Sequence, residues 1–283
     1  MWTDALMATI KNIAKIIILA GQSNAVGVGY KKHLTEHFSA DKVKEYESGY
    51  KNVRINFYSH DFGSDGFVDT TTGLAEKTKP TFGPEVGIAE KLTEDLPNEK
   101  FYIVKYAIGG STLYHDWLSP TSRVEEGDND RGIKYTGYCY DEFATLLQKS
   151  IHLLEERGYK PEIRAFCWMQ GESDACEQND VDAYIKRFDN LIKDFENVFS
   201  PYLKEYILAD GGISPFWKYY KEINALKSDY AKRGERRVYI DTVGEGLRTD
   251  REPTENPDLP HYDSDALIKL GHLFEQAIKE SLI

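Results

Sequence analysis

Hydrophobic residues along the chain form short continuous runs, which alternate with longer segments where they recur every three or four positions. Short runs rich in Ile, Val, Phe and Tyr are typical of buried strands, and the longer periodic segments are typical of amphipathic helices. The runs predict six strands, at Ile16–Ala20, Val53–Ser59, Phe101–Ala107, Ile163–Gln170, Glu205–Ala209 and Arg237–Thr242. The periodic segments predict five helices, at Pro84–Leu96, Asp141–Arg157, Asp180–Phe199, Trp217–Arg233 and Asp265–Leu282.

This alternation predicts an α/β fold with a mostly parallel sheet that helices cover on both faces. The sequence contains no repeat, low-complexity tract or Pro/Gly-rich linker, so we expect one domain over residues 1–283. Two segments, Ser111–Gly137 and Gly244–Tyr262, are irregular and polar. Because long loops in compact domains are commonly functional, we expect both to lie over the active face.

Composition narrows the class of partner. Apolar residues make up 41% of the chain and charged residues 29%, an ordinary mixture for a soluble globular protein. The 47 acidic and 35 basic residues give a net charge of -12. Nucleic acid and anionic membranes both require a basic face, so the charge argues against either partner. The oligomeric state is left open.

Cysteine usage and the N-terminus bear on location. The three cysteines are odd in number and lack C-x-x-C spacing, which argues against a disulfide scaffold and a zinc knuckle. The longest apolar run, Ile16–Ala20, is too short to cross a bilayer. The first twelve residues lack the basic and apolar regions of a signal peptide. The sequence therefore predicts a cytoplasmic location, or a secreted one if a leader has been removed.

Polar residues gather where the predicted strands end, which is where ligands bind in open parallel sheets. Four such segments stand out: G-Q-S-N at 21–24, G-G at 109–110, Q-G-E-S-D at 170–174 and, across a loop after the last strand, D-L-P-H at 258–261. Each segment alone is also compatible with an ordinary turn. Their common placement at one rim of the sheet indicates a site.

Ser23 is the candidate nucleophile, although serine is also a common turn and helix-cap residue. It does not fit the G-x-S-x-G elbow, because Ala25 replaces the second glycine. The glycine pair at 109–110 lacks both the G-x-G-x-x-G and the G-K-[ST] spacing, so nucleotide binding is disfavoured.

His261 is the candidate base, because it lies in a proline-containing loop three residues after Asp258. A turn of that length lets the carboxylate bond the imidazole Nδ1–H and fix its tautomer. Asp263 and Asp265 are also close in sequence. No histidine pair has the H-x-x-x-H spacing of a metal site, so we expect no metal.

These residues supply the parts of acyl transfer to water. Ser23 provides the nucleophile, His261 the base and Asp258 the orienting acid. The oxyanion donors would be the N–H of Ser23, the N–H of Gly109 or Gly110 and the amide of Gln170. No motif for hydride or phosphoryl transfer is present, and no cofactor is expected.

The G-Q-S-N-A, G-G-S, W-M-Q-G-E-S-D-A and D-x-x-H segments resemble the SGNH hydrolase superfamily. They are most similar to its carbohydrate-esterase branch, which contains sialate O-acetylesterases and acetylxylan esterases, and F-G-P-E at 82–85 is similar to a segment of that branch. The resemblance implies a three-layer α/β/α, flavodoxin-like domain that deacetylates O-acetylated sugars. It implies Ser23 as nucleophile, His261 as base, and Ser23, Gly110 and Gln170 as the oxyanion hole.

The chain departs from this pattern in its oxyanion asparagine. The G-x-N-D block is missing, and Asp174 replaces the asparagine that many relatives carry after G-E-S. Because a carboxylate cannot donate an amide hydrogen, Gln170 remains the candidate side-chain donor. The acid is also contested: Glu172 has that role in some relatives, whereas Asp258 fits D-x-x-H and is favoured by its short turn to His261.

The remaining candidates concern the substrate. Six residues are expected to contact it: Gln22, Asn24, Gly109, His115, Trp117 and Glu172. The leading function is a serine esterase that releases small acyl groups, above all acetyl, from carbohydrates. A lipase, lysophospholipase or thioesterase is the alternative within enzymes, and a non-catalytic sugar-binding module is the alternative outside them.

Charge in the first loop distinguishes these alternatives. A lipid substrate needs a long apolar groove, whereas the loop at Ser111–Gly137 carries many charged residues: Asp116, Arg123, Glu125, Glu126, Asp128, Asp130 and Arg131. We therefore expect a polar substrate.

Overall fold

The computed structural model describes residues 13–60, 62–127 and 135–283. Within these residues, ten strands form: β1 Ile13–Gly21, β2 Gly29–Tyr30, β3 Tyr50–Ser59, β4 Phe62–Gly63, β5 Val68–Thr70, β6 Thr81–Phe82, β7 Phe101–Ala107, β8 Lys160–Met169, β9 Leu203–Gly211 and β10 Arg237–Ile240.

The same residues contain nine α-helices. They are α1 Ser23–Val26, α2 Lys31–His37, α3 Ala40–Ser48, α4 Glu85–Asp95, α5 Pro120–Glu126, α6 Tyr138–Glu156, α7 Gln178–Phe199, α8 Tyr220–Ala231 and α9 Ser264–Leu282. All five predicted helices and six predicted strands are present, with ends that differ by a few residues.

The main sheet has the order β10-β9-β8-β1-β7-β3-β4. Strand β5 also pairs with β3 but is not part of this linear order. The six longer strands run parallel, while β4 and β5 pair antiparallel with β3. Every residue of β7 is buried, as expected where helices cover both faces of a sheet. The predicted α/β fold, a mostly parallel sheet between helices, is therefore confirmed.

The position of β1 decides where a ligand can bind. β1 lies between β7 and β8; the chain adds β3 and β7 on one side of it, and later β8, β9 and β10 on the other. Connections that leave in opposite directions open a crevice at the carboxyl ends of such strands. The polar segments that follow β1, β7 and β8 therefore meet at this switch point.

The two predicted loops differ in structure. Gly244–Tyr262 contains no helix or strand, as predicted. Ser111–Gly137 contains the helix α5, and its residues 128–134 lie outside the described part of the chain. Helix α5 packs on α7, so this segment is partly ordered by a neighbouring helix.

The remaining predictions on location have limited structural counterparts. No helix among the described residues is long and apolar enough to cross a bilayer. The first twelve residues, on which the absence of a signal peptide was argued, lie outside the described residues, and the cytoplasmic location stays a prediction. Cys167 is fully buried, and burial raises the pKa of its thiol. Its surroundings fit the role of a small apolar side chain.

Candidate active site

A tight corner after β1 presents Ser23. Gly21 has φ +147°, and a Cβ on it would lie 1.8 Å from the carbonyl oxygen of Met169, so only glycine fits there. The N–H of Gln22 then donates to that carbonyl at 2.9 Å. Ser23 follows as the first residue of α1 and is 8% exposed. Its backbone N–H has no acceptor among the described residues, so it is free to bind a substrate oxygen.

A buried ion pair supports the far end of α1. The ammonium of Lys105 on β7 donates to the carbonyl of Val26 at 2.7 Å and to Glu85 at 2.8 Å, with both charged side chains fully buried. The other oxygen of Glu85 accepts the N–H of Gly83 at 2.9 Å. The F-G-P-E segment therefore stabilises the short helix that carries Ser23, and it lies behind the site.

The predicted acid and base are in contact. Asp258 Oδ2 lies 2.8 Å from His261 Nδ1, and the N–H of His261 also donates to the carbonyl of Asp258 at 2.9 Å. The side chain of Asp258 is 50% exposed and that of His261 is 24% exposed. The competing carboxylates Asp263 and Asp265 pair with Arg251 instead. His261 Nε2 makes no hydrogen bond to a described residue, which leaves it available as a base.

Asn24 joins the segments of the nucleophile and the base. Its Oδ1 accepts the N–H of Tyr262 at 3.0 Å, and its Nδ2 donates to Glu172 at 2.9 Å. These contacts are buried. The residue after Ser23 is thus bonded to the residue after His261, which brings two segments far apart in sequence to one rim.

Glu172 lies below this contact. The side chain is fully buried, one oxygen accepts from Asn24, and the other has no hydrogen-bond partner. Burial raises the pKa of its carboxyl group, because the charged form loses hydration. Asp258 is therefore the carboxylate in contact with His261, whereas Glu172 contacts Asn24.

This raised pKa predicts a pH dependence of stability. The folded state holds the Glu172 proton more tightly than the unfolded chain, so the free energy of unfolding is expected to fall as pH rises above the ordinary glutamate value of 4.5. The variant Glu172→Gln should show a smaller fall, because it has no proton to lose. Urea unfolding at pH 5 and pH 8 measures this difference.

The exposed Glu205 supplies the control, since its side chain is 76% exposed. Glu205→Gln should follow the wild type at both pH values. An equal stability gap between Glu172→Gln and the wild type at pH 5 and pH 8 would contradict the expectation.

Gln170 does not lie as an oxyanion donor should. Its side chain is fully buried, and its amide donates to Gln22 Oε1 at 3.3 Å, to the Ser111 carbonyl at 3.2 Å and to Asp174. Three acceptors thus surround its two N–H groups. The described contacts do not support the predicted donor role, and they make Gln170 a buried link between strand ends.

Asp174 makes contacts that require two acceptor oxygens. Its two oxygens accept the N–H groups of Leu113 and Tyr114 at 3.0 and 3.1 Å, which an amide nitrogen could not do. Burial still raises the pKa of this carboxyl to about 6. Asp174 therefore anchors the loop that follows the glycine pair.

Gly109 is the glycine beside the nucleophile. A Cβ built on it would lie 3.7 Å from Ser23 Cβ, whereas one built on Gly110 would meet no atom within 4 Å. Gly110 is exposed and has φ +74°, so it forms the turn that leads away from the site. Gly109 is thus the nearer of the two glycines to Ser23, and the predicted donor role of Gly110 stays a prediction.

Four of the six predicted substrate contacts require correction. Gln22, Asn24 and Glu172 are almost or fully buried and bond to other protein groups. Trp117 is fully buried, donates to Ser111 Oγ at 2.9 Å, and packs edge-on against core aromatic rings. Among the six predicted residues, Gly109 and His115 remain partly exposed.

The charges of the first loop also face elsewhere. Arg123 pairs with Asp141 on α6, while Glu125 and Glu126 pair with Lys186 and Arg187 on α7. Asp128, Asp130 and Arg131 lie outside the described residues. The described charged side chains of this loop therefore form ion pairs with residues of α6 and α7, and they give no support to a polar substrate groove.

A cleft of about 440 Å³ adjoins His261. Its walls combine aromatic, proline and polar side chains, chiefly Tyr30, Phe216, Glu252, Pro253, Asn256, Asp258 and Leu259. Tyr30 and Phe216 were missed by the sequence analysis, because neither belongs to a motif at a strand end. Its size is in the range of small-ligand sites.

One cluster in the described ranges has the residue types of a metal site. His37, Glu252 and Asp265 bring potential ligand atoms within 4.8 Å of one another. His37 Nε2 lies 2.8 Å from Glu252 Oε1, and Asp265 pairs with Arg251. These contacts, together with Glu252 accepting from Ser264, fix the start of α9 and the base loop.

The mostly parallel sheet between helices, with a polar rim at its switch point, is consistent with an SGNH-like hydrolase fold. A profile described as carbohydrate esterase, sialic acid-specific acetylesterase, matches residues 13–280. The chain belongs to this family and is a carboxylic ester hydrolase that acts on carbohydrate acetyl esters. The resemblance seen in the sequence is therefore confirmed.

Solved structures support the fold. A protein from Arabidopsis thaliana is 21% identical with a TM-score of 0.65, over 94% of this chain and 98% of that chain. NanS is 15% identical with a TM-score of 0.65, over 95% and 97%. A carbohydrate acetylesterase from Xanthomonas citri is 14% identical with a TM-score of 0.55, over 95% and 56%. No curated protein sequence gives a significant match.

Proposed function

We propose that the protein removes O-acetyl groups from carbohydrates with Ser23 as nucleophile, His261 as general base and Asp258 as the acid that orients it. The observation that carries the proposal is the 2.8 Å contact between Asp258 and His261 Nδ1, in a loop that Asn24 ties to the nucleophile corner. A histidine bonded at Nδ1 keeps its Nε2 unprotonated and ready to accept a proton.

The proposed reaction has two steps, acylation of Ser23 and hydrolysis of the acyl-enzyme. Ser23 Oγ attacks the ester carbonyl while its proton passes to His261 Nε2. The N–H groups of Ser23 and Gly109 stabilise the oxyanion, and His261 returns the proton to the departing sugar hydroxyl. Water then attacks the acetyl-serine by the same route and releases acetate. Asp258 holds the imidazole and stabilises its cationic form.

The surroundings of His261 suit a sugar as the leaving group. His261 delivers the proton to the leaving oxygen, so the alcohol must lie beside its ring. The adjoining cleft contains Phe216, which is 48% exposed and can stack against a sugar ring. It also offers the amide of Asn256 as a hydrogen-bonding partner for hydroxyl groups.

Acetate release from a panel of substrates tests the proposal. The panel contains acetylated xylan, O-acetylated sialic acid and acetylated neutral monosaccharides, with aryl acetate and aryl octanoate as simple esters. We expect acetate from at least one acetylated carbohydrate, and hydrolysis of the aryl acetate at least about tenfold faster than of the octanoate. Faster octanoate hydrolysis with no release from any carbohydrate would support a lipase instead.

A further inference from the structure

His60 lies beside the same glycine as the nucleophile. A Cβ built on Gly109 would be 3.1 Å from His60 Nε2 and 3.7 Å from Ser23 Cβ. His60 leads out of β3, and its side chain reaches the end of the neighbouring strand β7. The imidazole therefore lies next to the N–H of Gly109, which is one of the two oxyanion donors in the proposed reaction.

The Gly109 N–H already has an acceptor there. It donates to His60 Nε2 at 3.4 Å, which is longer than the usual distance of about 2.9–3.0 Å for such bonds. An anionic oxygen would form a shorter and stronger bond with the same N–H. An oxyanion bound by Gly109 would therefore replace His60 Nε2 as the acceptor of this N–H, with the imidazole next to it.

The backbone of His60 has the conformation of a hairpin turn. It has φ +53°, a left-handed conformation that glycine, asparagine and aspartate adopt most readily in hairpin connections. The strand pairing of Tyr58 with Gly63 and of Ser59 with Phe62 holds it at the end of the hairpin. The turn therefore fixes the direction in which the His60 side chain leaves the backbone.

We propose that His60 is a further catalytic residue, which donates an N–H from Nε2 to the oxyanion beside the N–H of Gly109; this rests on the proposed function. In the free protein, Nε2 accepts from Gly109 and the ring proton is on Nδ1. On substrate binding, Nδ1 releases its proton to water and Nε2 takes one up. The net charge of the ring is unchanged, and the exposed position of His60 gives water access.

Two variants of His60 distinguish an effect of side-chain length from an effect of the backbone conformation. His60→Asn tolerates the left-handed backbone but is too short to reach Gly109, whereas His60→Gln restores an amide donor at greater length. We expect His60→Asn to lower kcat for aryl acetate by about 10²-fold with KM changed less than about threefold. His60→Gln should lie between that variant and the wild type.

Methylboronic acid provides the second readout. Its boron accepts Ser23 Oγ and becomes tetrahedral, so one of its oxygens occupies the oxyanion position. Its Ki should rise for His60→Asn by a factor similar to the loss of kcat. The control is His152→Ala on α6, whose side chain is 69% exposed, and it should match the wild type in kcat, Ki and thermal unfolding.

Two outcomes would overturn the role of His60. One is a kcat for His60→Asn that equals or exceeds that of the wild type, which would make the ring a dispensable occupant of the Gly109 N–H. The other is a lower kcat with an unchanged boronate Ki, which would indicate an indirect effect on folding. Retained turnover in Ser23→Ala would instead refute the proposed function.

Discussion

Replacing Ser23 with alanine is expected to lower kcat for an aryl acetate by on the order of 10⁶-fold, with thermal unfolding unchanged. The substitution removes the oxygen that forms the bond to the acyl group. Ser23 is the only residue with a hydroxyl group in the G-Q-S-N segment at 21–24. The fold should tolerate it, because Ser23 Oγ makes no hydrogen bond within the described residues. Steady-state hydrolysis and a thermal melt of the purified variant measure both effects.

Labelling with a fluorophosphonate gives an independent measure of the same hydroxyl. Peptide mapping should place the label on Ser23 in the wild type, and Ser23→Ala should not react. The control Ser200→Ala changes a serine just beyond α7, whose hydroxyl donates to a nearby carbonyl. It should be labelled and active as the wild type is. Wild-type turnover by Ser23→Ala would contradict the assignment of the nucleophile.

The second large effect concerns the acid. Asp258→Asn is expected to lower kcat by on the order of 10⁴-fold, because an amide at Nδ1 favours the tautomer that blocks Nε2 as a base. Glu172→Gln should retain kcat within about tenfold, since glutamine still offers an oxygen to Asn24. Parallel kinetics of the two variants on the same aryl acetate make the comparison.

The reverse ranking would overturn this assignment. A loss on the order of 10⁴-fold in Glu172→Gln alone would make Glu172 the acid and leave Asp258 as a surface carboxylate. The stability of both variants at the assay pH is the necessary control, because Glu172 is buried and Asp258 is half exposed.

The sequence predicted the long parallel strands well, because their apolar runs are buried on both faces. β7 begins and ends where the pattern placed it, at Phe101 and Ala107. The sequence analysis missed the two- and three-residue strands β2, β4, β5 and β6, because segments this short are too brief to display an alternating hydrophobic pattern. The same is true of α2, α3 and α5, which are short and largely polar.

The site was predictable where its contacts are local. The turn from Asp258 to His261 spans three residues, so the spacing alone indicates the bond. The contact of Asn24 with Tyr262 spans 238 residues, and the contact of His60 with Gly109 crosses between strands. Neither contact can be predicted from residues that are adjacent in the sequence.

Side-chain direction is the other limit. Gln22 and Trp117 were predicted to contact the substrate, and Gln170 was predicted to donate its amide to the oxyanion. The structure turns all three inward, where Trp117 joins an aromatic core and Gln170 bonds Gln22. Rotation about the backbone decides between site and interior, and no motif encodes it at these positions.

The segment from Gly244 to Tyr262 has a consequence for engineering and for divergence among relatives. It carries both the proton-transfer pair and much of the cleft wall, including Pro253, Asn256 and Leu259, while the nucleophile is on the sheet. We expect substitutions that reshape the wall to move Asp258 and His261 as well, so that a change in sugar preference also changes the turnover rate. A library that varies Phe216 and Tyr30, which border the cleft from outside this segment, separates the two traits.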